Sequence, residues 1–227
     1  MENERCRIDH AIDSNRPAEP HWPVFVAMLS IAALYAALPS TVLAGPARLF
    51  LASAVVALLI SITIAQYSRN HSMSQVLGHV LNIVVTAGMI LSLSFLITNV
   101  MHHEVTPLQL LRSAAALWIA NFLVFASWYW RLDGGGPHQR SRTPGHTDGA
   151  FLFPQMTMHP EAKKLAGEHD WEPRFVDYLF LAFNTSTAFS PTDVPVLSRW
   201  AKILMMIQAL ISLVVIALLA GRAVNIL

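Results

Sequence analysis

The feature that most constrains this chain is where its charges are missing. No Asp, Glu, Lys or Arg occurs between Glu19 and Arg48, between Arg48 and Arg69, from Asn70 to His103, from Ser113 to Trp130, or from Ile203 to Gly221. A helix needs about 20 predominantly apolar residues to cross the hydrocarbon of a bilayer, and each run is near or beyond that length. Inside lipid there is no water to satisfy backbone N–H and C=O groups, so an apolar span has to be helical or part of a closed barrel. Unbroken apolar runs, rather than alternating ones, select the helix. Only 13% of the 227 residues are charged, about half the share usual in soluble domains. The expected fold is an all-α integral membrane protein with about five transmembrane helices plus a re-entrant short helix and loop.

The order along the chain follows from these runs. Residues 1–20 form a polar tail whose mixture of Arg5, Arg7 and Arg16 with five acids is a poor signal-peptide start; the first apolar run is expected to be retained. Residues 21–130 form a four-helix transmembrane region, with helices over about Trp22–Leu38, Leu49–Gln66, Val76–Val100 and Leu108–Trp130. Trp128, Tyr129 and Trp130 close the fourth helix and suit the headgroup belt. Residues 131–172 are rich in Gly, Pro and charge and read as an exposed loop, in which "FLFPQM", Phe151 to Met156, is expected at the interface. Residues 173–227 hold a short helix over about Pro173–Thr187, a polar loop, and a last span from about Arg199.

The polar loop is "NTSTAFSPTD", Asn184 to Asp193, set between two apolar segments. A short helix ending in hydroxyls, a tight polar stretch with an acid, and then an apolar helix resembles the two-helix pore module of potassium-channel-like proteins. Thr187, Asp193, Pro195, Trp200 and Lys202 occupy places comparable to the filter threonine, the filter aspartate and the start of the inner helix. The resemblance covers about a quarter of the chain and implies a homo-oligomer passing small cations. The departure is that TAFSPTD stands in place of TVGYGD. No glycine lies between Gly167 and Gly221, and Pro191 fixes φ and removes an N–H. A stack of backbone carbonyls is therefore not expected. The candidate ion ligands are instead Thr187, Ser190, Thr192 and Asp193, with Gln208 and Ser212 sharing one face of the last helix. The alternative is a buried turn, with Thr192 or Asp193 capping that helix, and Gln208 and Ser212 bonding between helices. The chain also resembles a group of bacterial membrane proteins sharing a WYW-x-LD-x-GGP loop and a TAFSPTD motif, which places it in a bacterial inner membrane and brings no activity with it.

Other chemistry is not indicated. The histidines lack the spacing of a helical metal site, the lone Cys6 cannot pair within the chain, and no nucleophile elbow or phosphate-binding loop is present. Neither a metal nor another cofactor is expected, the protein does not read as an enzyme, and no basic cluster points to nucleic acid. Asn82 and Asn121 read as interhelical hydrogen-bonding residues and Gly88 as a close-packing point. Lys and Arg gather on the side of the tail and long loop, which the positive-inside rule puts in the cytoplasm; a potassium-channel pore loop enters from the other side. Two functions follow as expectations: a cation channel or degenerate channel relative, and a non-conducting structural or regulatory membrane protein.

Overall fold

The computed structural model describes residues 21–39, 45–68, 70–101, 106–140, 149–168, 171–189 and 193–224. Five apolar helices dominate it: α1 (Trp22–Ala37), α2 (Gly45–Tyr67), α3 (His71–Met101), α4 (Pro107–Leu132) and, at the C-terminal end, α9 (Arg199–Val224). Three short helices, α5 (Pro137–Arg140), α6 (Pro154–Thr157) and α7 (Pro160–Leu165), lead to α8 (Phe175–Ala188). The fold is all-α, and the one strand-like pairing among the described residues is a bridge between Phe151 and Val196. Four of the helices are long and apolar enough to cross a membrane: Pro46–Tyr67, Ser72–Val100, Pro107–Gly135 and Arg199–Gly221. The chain is thus a multi-pass membrane protein. The first expected span is shorter than the rest. Bracketed by Pro23 and Pro39, α1 has 16 residues and covers about 24 Å, a little less than the ~30 Å hydrocarbon.

Local chemistry sets the helix starts. α4 begins at T-P-L-Q: Pro107 occupies the first helical position, Gln109 N donates to Thr106 Oγ1 (3.3 Å), and Thr106 N donates to Gln109 Oε1 (3.2 Å). This reciprocal pair satisfies two otherwise orphaned donors. Asn70 starts α3 by accepting from Met73 N (3.1 Å). Asp177 accepts from Arg174 N (2.7 Å) at the start of α8, where a negative charge also complements the helix dipole.

α4 is the hub. It packs against α1, α3, α8 and α9, while α2 packs against α1 and α3. Gly88 on α3 lets α2 come close: a Cβ there would stand 2.4 Å from Leu51 Cδ2. Tyr35 on α1 donates to the carbonyl of Val85 on α3. Ser127 on α4 donates to Asn82 Oδ1 (2.8 Å), and Trp128 Nε1 donates to Thr86 Oγ1 (2.9 Å).

The start of the long loop departs from expectation. Gly134, Gly135 and Gly136 all take positive φ (55°, 75° and 93°), angles that residues with a Cβ reach only with strain. A Cβ on Gly136 would also lie 2.9 Å from the Arg131 carbonyl oxygen. The sharp turn folds the following residues back under α4, so Asp133 and Arg140 are buried rather than solvated. Arg140 Nη1 donates to the carbonyls of Trp130 (2.6 Å) and Asp133 (2.7 Å), capping the C-terminal end of α4 with a cation. Its guanidinium lies 5.1 Å from the Tyr178 ring centroid and 5.9 Å from that of Trp130. Asp133 accepts from Tyr178 OH (2.6 Å) and from the backbone N–H of Ala150. The acid has become a tie between α4, the loop and α8.

"FLFPQM" is tucked into the loop end of the bundle. Phe151 and Phe153 are buried, with ring contacts to Tyr129 (5.2 Å), Tyr178 (6.1 and 5.4 Å), Trp200 (6.1 Å) and Trp171 (5.6 Å). Its backbone is held from the other side, by Leu152 N to Pro195 O (3.0 Å) and Leu197 N to Ala150 O (2.8 Å). Tyr129 and Trp130 face this interior too, and are 0% and 2% exposed. Only Trp128 of that trio is partly exposed, a correction to the expected headgroup belt.

Candidate functional site: a short helix ending at a buried polar junction

α8 has 14 residues and a length of about 21 Å, too short to cross. Its path follows from its neighbours. It starts beside Asp133, at the loop end of α4, through Tyr178. About three turns later, Ser186 meets Asn121, itself about three turns inside α4 from the same end, with Asn121 Nδ2 3.4 Å from Ser186 Oγ. Gln208 stands opposite, between two and three turns into α9, its Nε2 2.8 Å from Ser186 Oγ. All three counts place the junction roughly 15 Å from the loop face, near the middle of a ~30 Å slab. By Pro195–Leu197 the chain is again paired with Ala150–Leu152, next to Asp133. The segment starts and returns at the same end of the bundle.

The junction is tightly bonded. Gln208 Nε2 donates to Ala182 O (2.6 Å) as well as to Ser186 Oγ, and Gln208 Oε1 accepts from Tyr129 OH. Asn121 Nδ2 donates to Ser212 Oγ (2.7 Å) and Gln208 O (3.2 Å). Trp118 Nε1 approaches the Ser186 carbonyl at 3.5 Å. All of Asn121, Ser186, Gln208 and Ser212 are 0% exposed. Val215 continues the stripe of Gln208 and Ser212 into the same interior, and Leu219 packs against it. The Gln208–Ser212 face of α9 singled out in the sequence therefore looks into its own bundle. Asn121 Oδ1 is buried without a hydrogen-bond partner.

The other candidates lie outside the junction. Thr187 is exposed; its hydroxyl donates back to Phe183 O (3.0 Å) and Asn184 O (3.2 Å). Asp193 is exposed, immediately before buried Val194. Ser190, Pro191 and Thr192 lie outside the described residues. The last helix is not capped by Asp193: Ser198 holds that place, accepting from Ala201 N (3.4 Å). The structure thus splits the predicted set into a buried pair, Gln208 and Ser212, and an exposed pair, Thr187 and Asp193.

Between them sits Phe189, the one non-glycine residue with positive φ (53°) among those described. It ends α8 in the left-handed conformation usually given to glycine. The carbonyl end of α8, carrying partial negative charge, lies beside Thr187, in the last turn of that helix. Hydroxyl, carbonyl and carboxylate oxygens are hard ligands that suit small hard cations. No group of three His, Cys, Asp or Glu side chains that could hold a metal occurs among the described residues; His102, His103, Glu104, His146 and His169 lie outside them.

Sequence reasoning did not single out Ser186 or Tyr129. The signal for Ser186 was present: Tyr178, Ala182 and Ser186 recur every four residues and form one buried stripe. No family model, curated protein or solved structure matches the chain.

Proposed function

We propose that several copies of this chain assemble around a path for small cations, with residues 173–227 as its pore-forming unit, in a bacterial inner membrane. The reading is supported by the exposed Asp193 carboxylate, which follows a short helix whose start and return both lie at the loop end of α4. An ionised side chain in or near lipid needs water or a polar partner, and irregular backbone there survives only in protein or beside a water-filled cavity. Packing copies about an axis supplies both. A ring of such carboxylates favours cations, and the carbonyl end of α8 adds to the same field. Thr187 contributes a hydroxyl oxygen. Gln208 and Ser212 act one layer behind, by fixing α8 against α4 and α9.

The test is cation flux into liposomes carrying the purified full chain, read with an ion-sensitive dye. Flux is expected for the parent, with a strong reduction in Asp193→Ala and a smaller one in Thr187→Val. A protein that runs as a monomer and passes no cations overturns the proposal, as does flux that ignores Asp193→Ala. A second reading, a non-conducting structural or regulatory membrane protein, is favoured by one observation. Gln208 and Ser212 find their partners inside a single chain, so packing alone accounts for these two of the six candidate residues.

A further inference from the structure

The start of α1, the end of α2, the start of α3 and the end of α4 surround a pocket of about 440 Å³. These four ends lie on the loop face, so the pocket opens at headgroup level. Its inner wall is apolar, with Val24, Leu59 and Ile62, and its mouth carries Gln66, Gln75 and Arg131. That volume falls within the range of small-molecule sites, about 300–1,000 Å³.

Arg131 is the unusual element. Its Nε is buried with no hydrogen-bond partner, and no acidic side chain lines the pocket among the described residues. The guanidinium lies directly against Gly78 on α3, where a Cβ would stand 1.9 Å from Arg131 Nη1 and push it aside. On its other side the guanidinium lies 5.4 Å from the Trp130 ring centroid. His21, at the pocket edge, titrates below its usual 6.5 through burial and, secondarily, through the Arg131 charge, so it stays neutral at neutral pH. A planar, permanently charged fork with no acidic partner among the described residues matches a phosphate or carboxylate oxyanion. Basic pockets between transmembrane helices at headgroup level are suited to anionic lipid.

We infer that the pocket between the loop-side ends of α1–α4 binds an anionic phospholipid, its phosphate on Arg131 and the upper part of one acyl chain against Val24, Leu59 and Ile62. This site is separate from the re-entrant unit and does not depend on conduction. The experiment is native mass spectrometry of the detergent-solubilised full chain titrated with dioleoylphosphatidylglycerol or dioleoylphosphatidylcholine. Both lipids carry a phosphate, but the choline cation of the second offsets its charge and faces Arg131 with a like charge, so the parent should hold the phosphatidylglycerol about tenfold more tightly. Arg131→Gln should abolish that preference and Arg131→Lys should retain part of it. Leu59→Trp, which fills the apolar wall, should weaken both lipids and provides an independent reading should Arg131→Gln fail to fold. Inorganic phosphate at millimolar concentration should not displace the lipid. Equal affinity for the two lipids, as when a carboxylate of the chain itself already pairs with Arg131, overturns the inference. So does an Arg131→Gln protein with the preference intact, or displacement by inorganic phosphate, which would make the ligand a soluble anion.

Discussion

Replacing Gln208 by Leu keeps the volume of the side chain and removes its three hydrogen bonds, to Tyr129 OH, Ala182 O and Ser186 Oγ. At an average of about 0.6 kcal/mol for a side-chain hydrogen bond within a membrane, the direct loss is near 2 kcal/mol. The Tyr129 hydroxyl would be stranded at 0% exposure, and a stranded buried donor costs about 1–3 kcal/mol. The expected destabilisation is therefore roughly 3–5 kcal/mol, measured by denaturant titration in mixed SDS micelles. Leu210→Ala, on the 61% exposed face of α9, serves as control and should fall within about 0.5 kcal/mol of the parent. Tyr129→Phe combined with Gln208→Leu should cost less than the sum of the two, because the stranded hydroxyl is gone. A Gln208→Leu protein as stable as the control, or strict additivity with Tyr129→Phe, would show that the junction does not hold α8 in place.

Three further outcomes follow from the geometry. Arg140→Ala removes two bonds to the terminal carbonyls of α4 and the contacts with the Trp130 and Tyr178 rings, and should cost about 2–4 kcal/mol in the same titration. Gly88→Val pushes against Leu51 and should cost about 1–3 kcal/mol, visible also as easier proteolysis of the α2–α3 pair. Phe189→Gly relieves the left-handed backbone strain of a half-exposed residue and should raise stability by about 0.5–1 kcal/mol, with cation flux unchanged if the ring has no part in the path.

The long helices were legible because about 20 consecutive residues without a charge suit the hydrocarbon of a bilayer and little else. The short helix was legible for a related reason: from Pro173 the apolar stretch runs into hydroxyls before a span is complete. What could not be read was the fate of polar residues that find partners far along the chain. Asp133 and Arg140 sit in a Gly- and Pro-rich stretch whose composition signals solvent, yet three successive positive-φ glycines fold them beneath α4. Phe151 and Phe153 alternate like strand residues, but their partner segment, Pro195–Leu197, lies more than forty positions later. The stripe of Gln208 and Ser212 was visible by spacing. Whether a polar stripe faces a central axis or a neighbouring helix depends on Asn121 and Tyr129, 91 and 79 residues upstream of their partners, and spacing within α9 does not carry that information.

Everything proposed for residues 173–227 rests on the chain dipping in at α8 and coming back to the same face. In a Cys6→Ser background, single cysteines at Glu172, Leu197 and Leu108, all exposed positions, should be probed with a membrane-impermeant thiol reagent in right-side-out and inverted vesicles. Positions 172 and 197 should label in the same vesicle preparation, and position 108, at the far end of α4, in the other. Labelling of 172 and 197 from opposite sides would mean that the segment crosses the membrane, and the re-entrant unit would not exist.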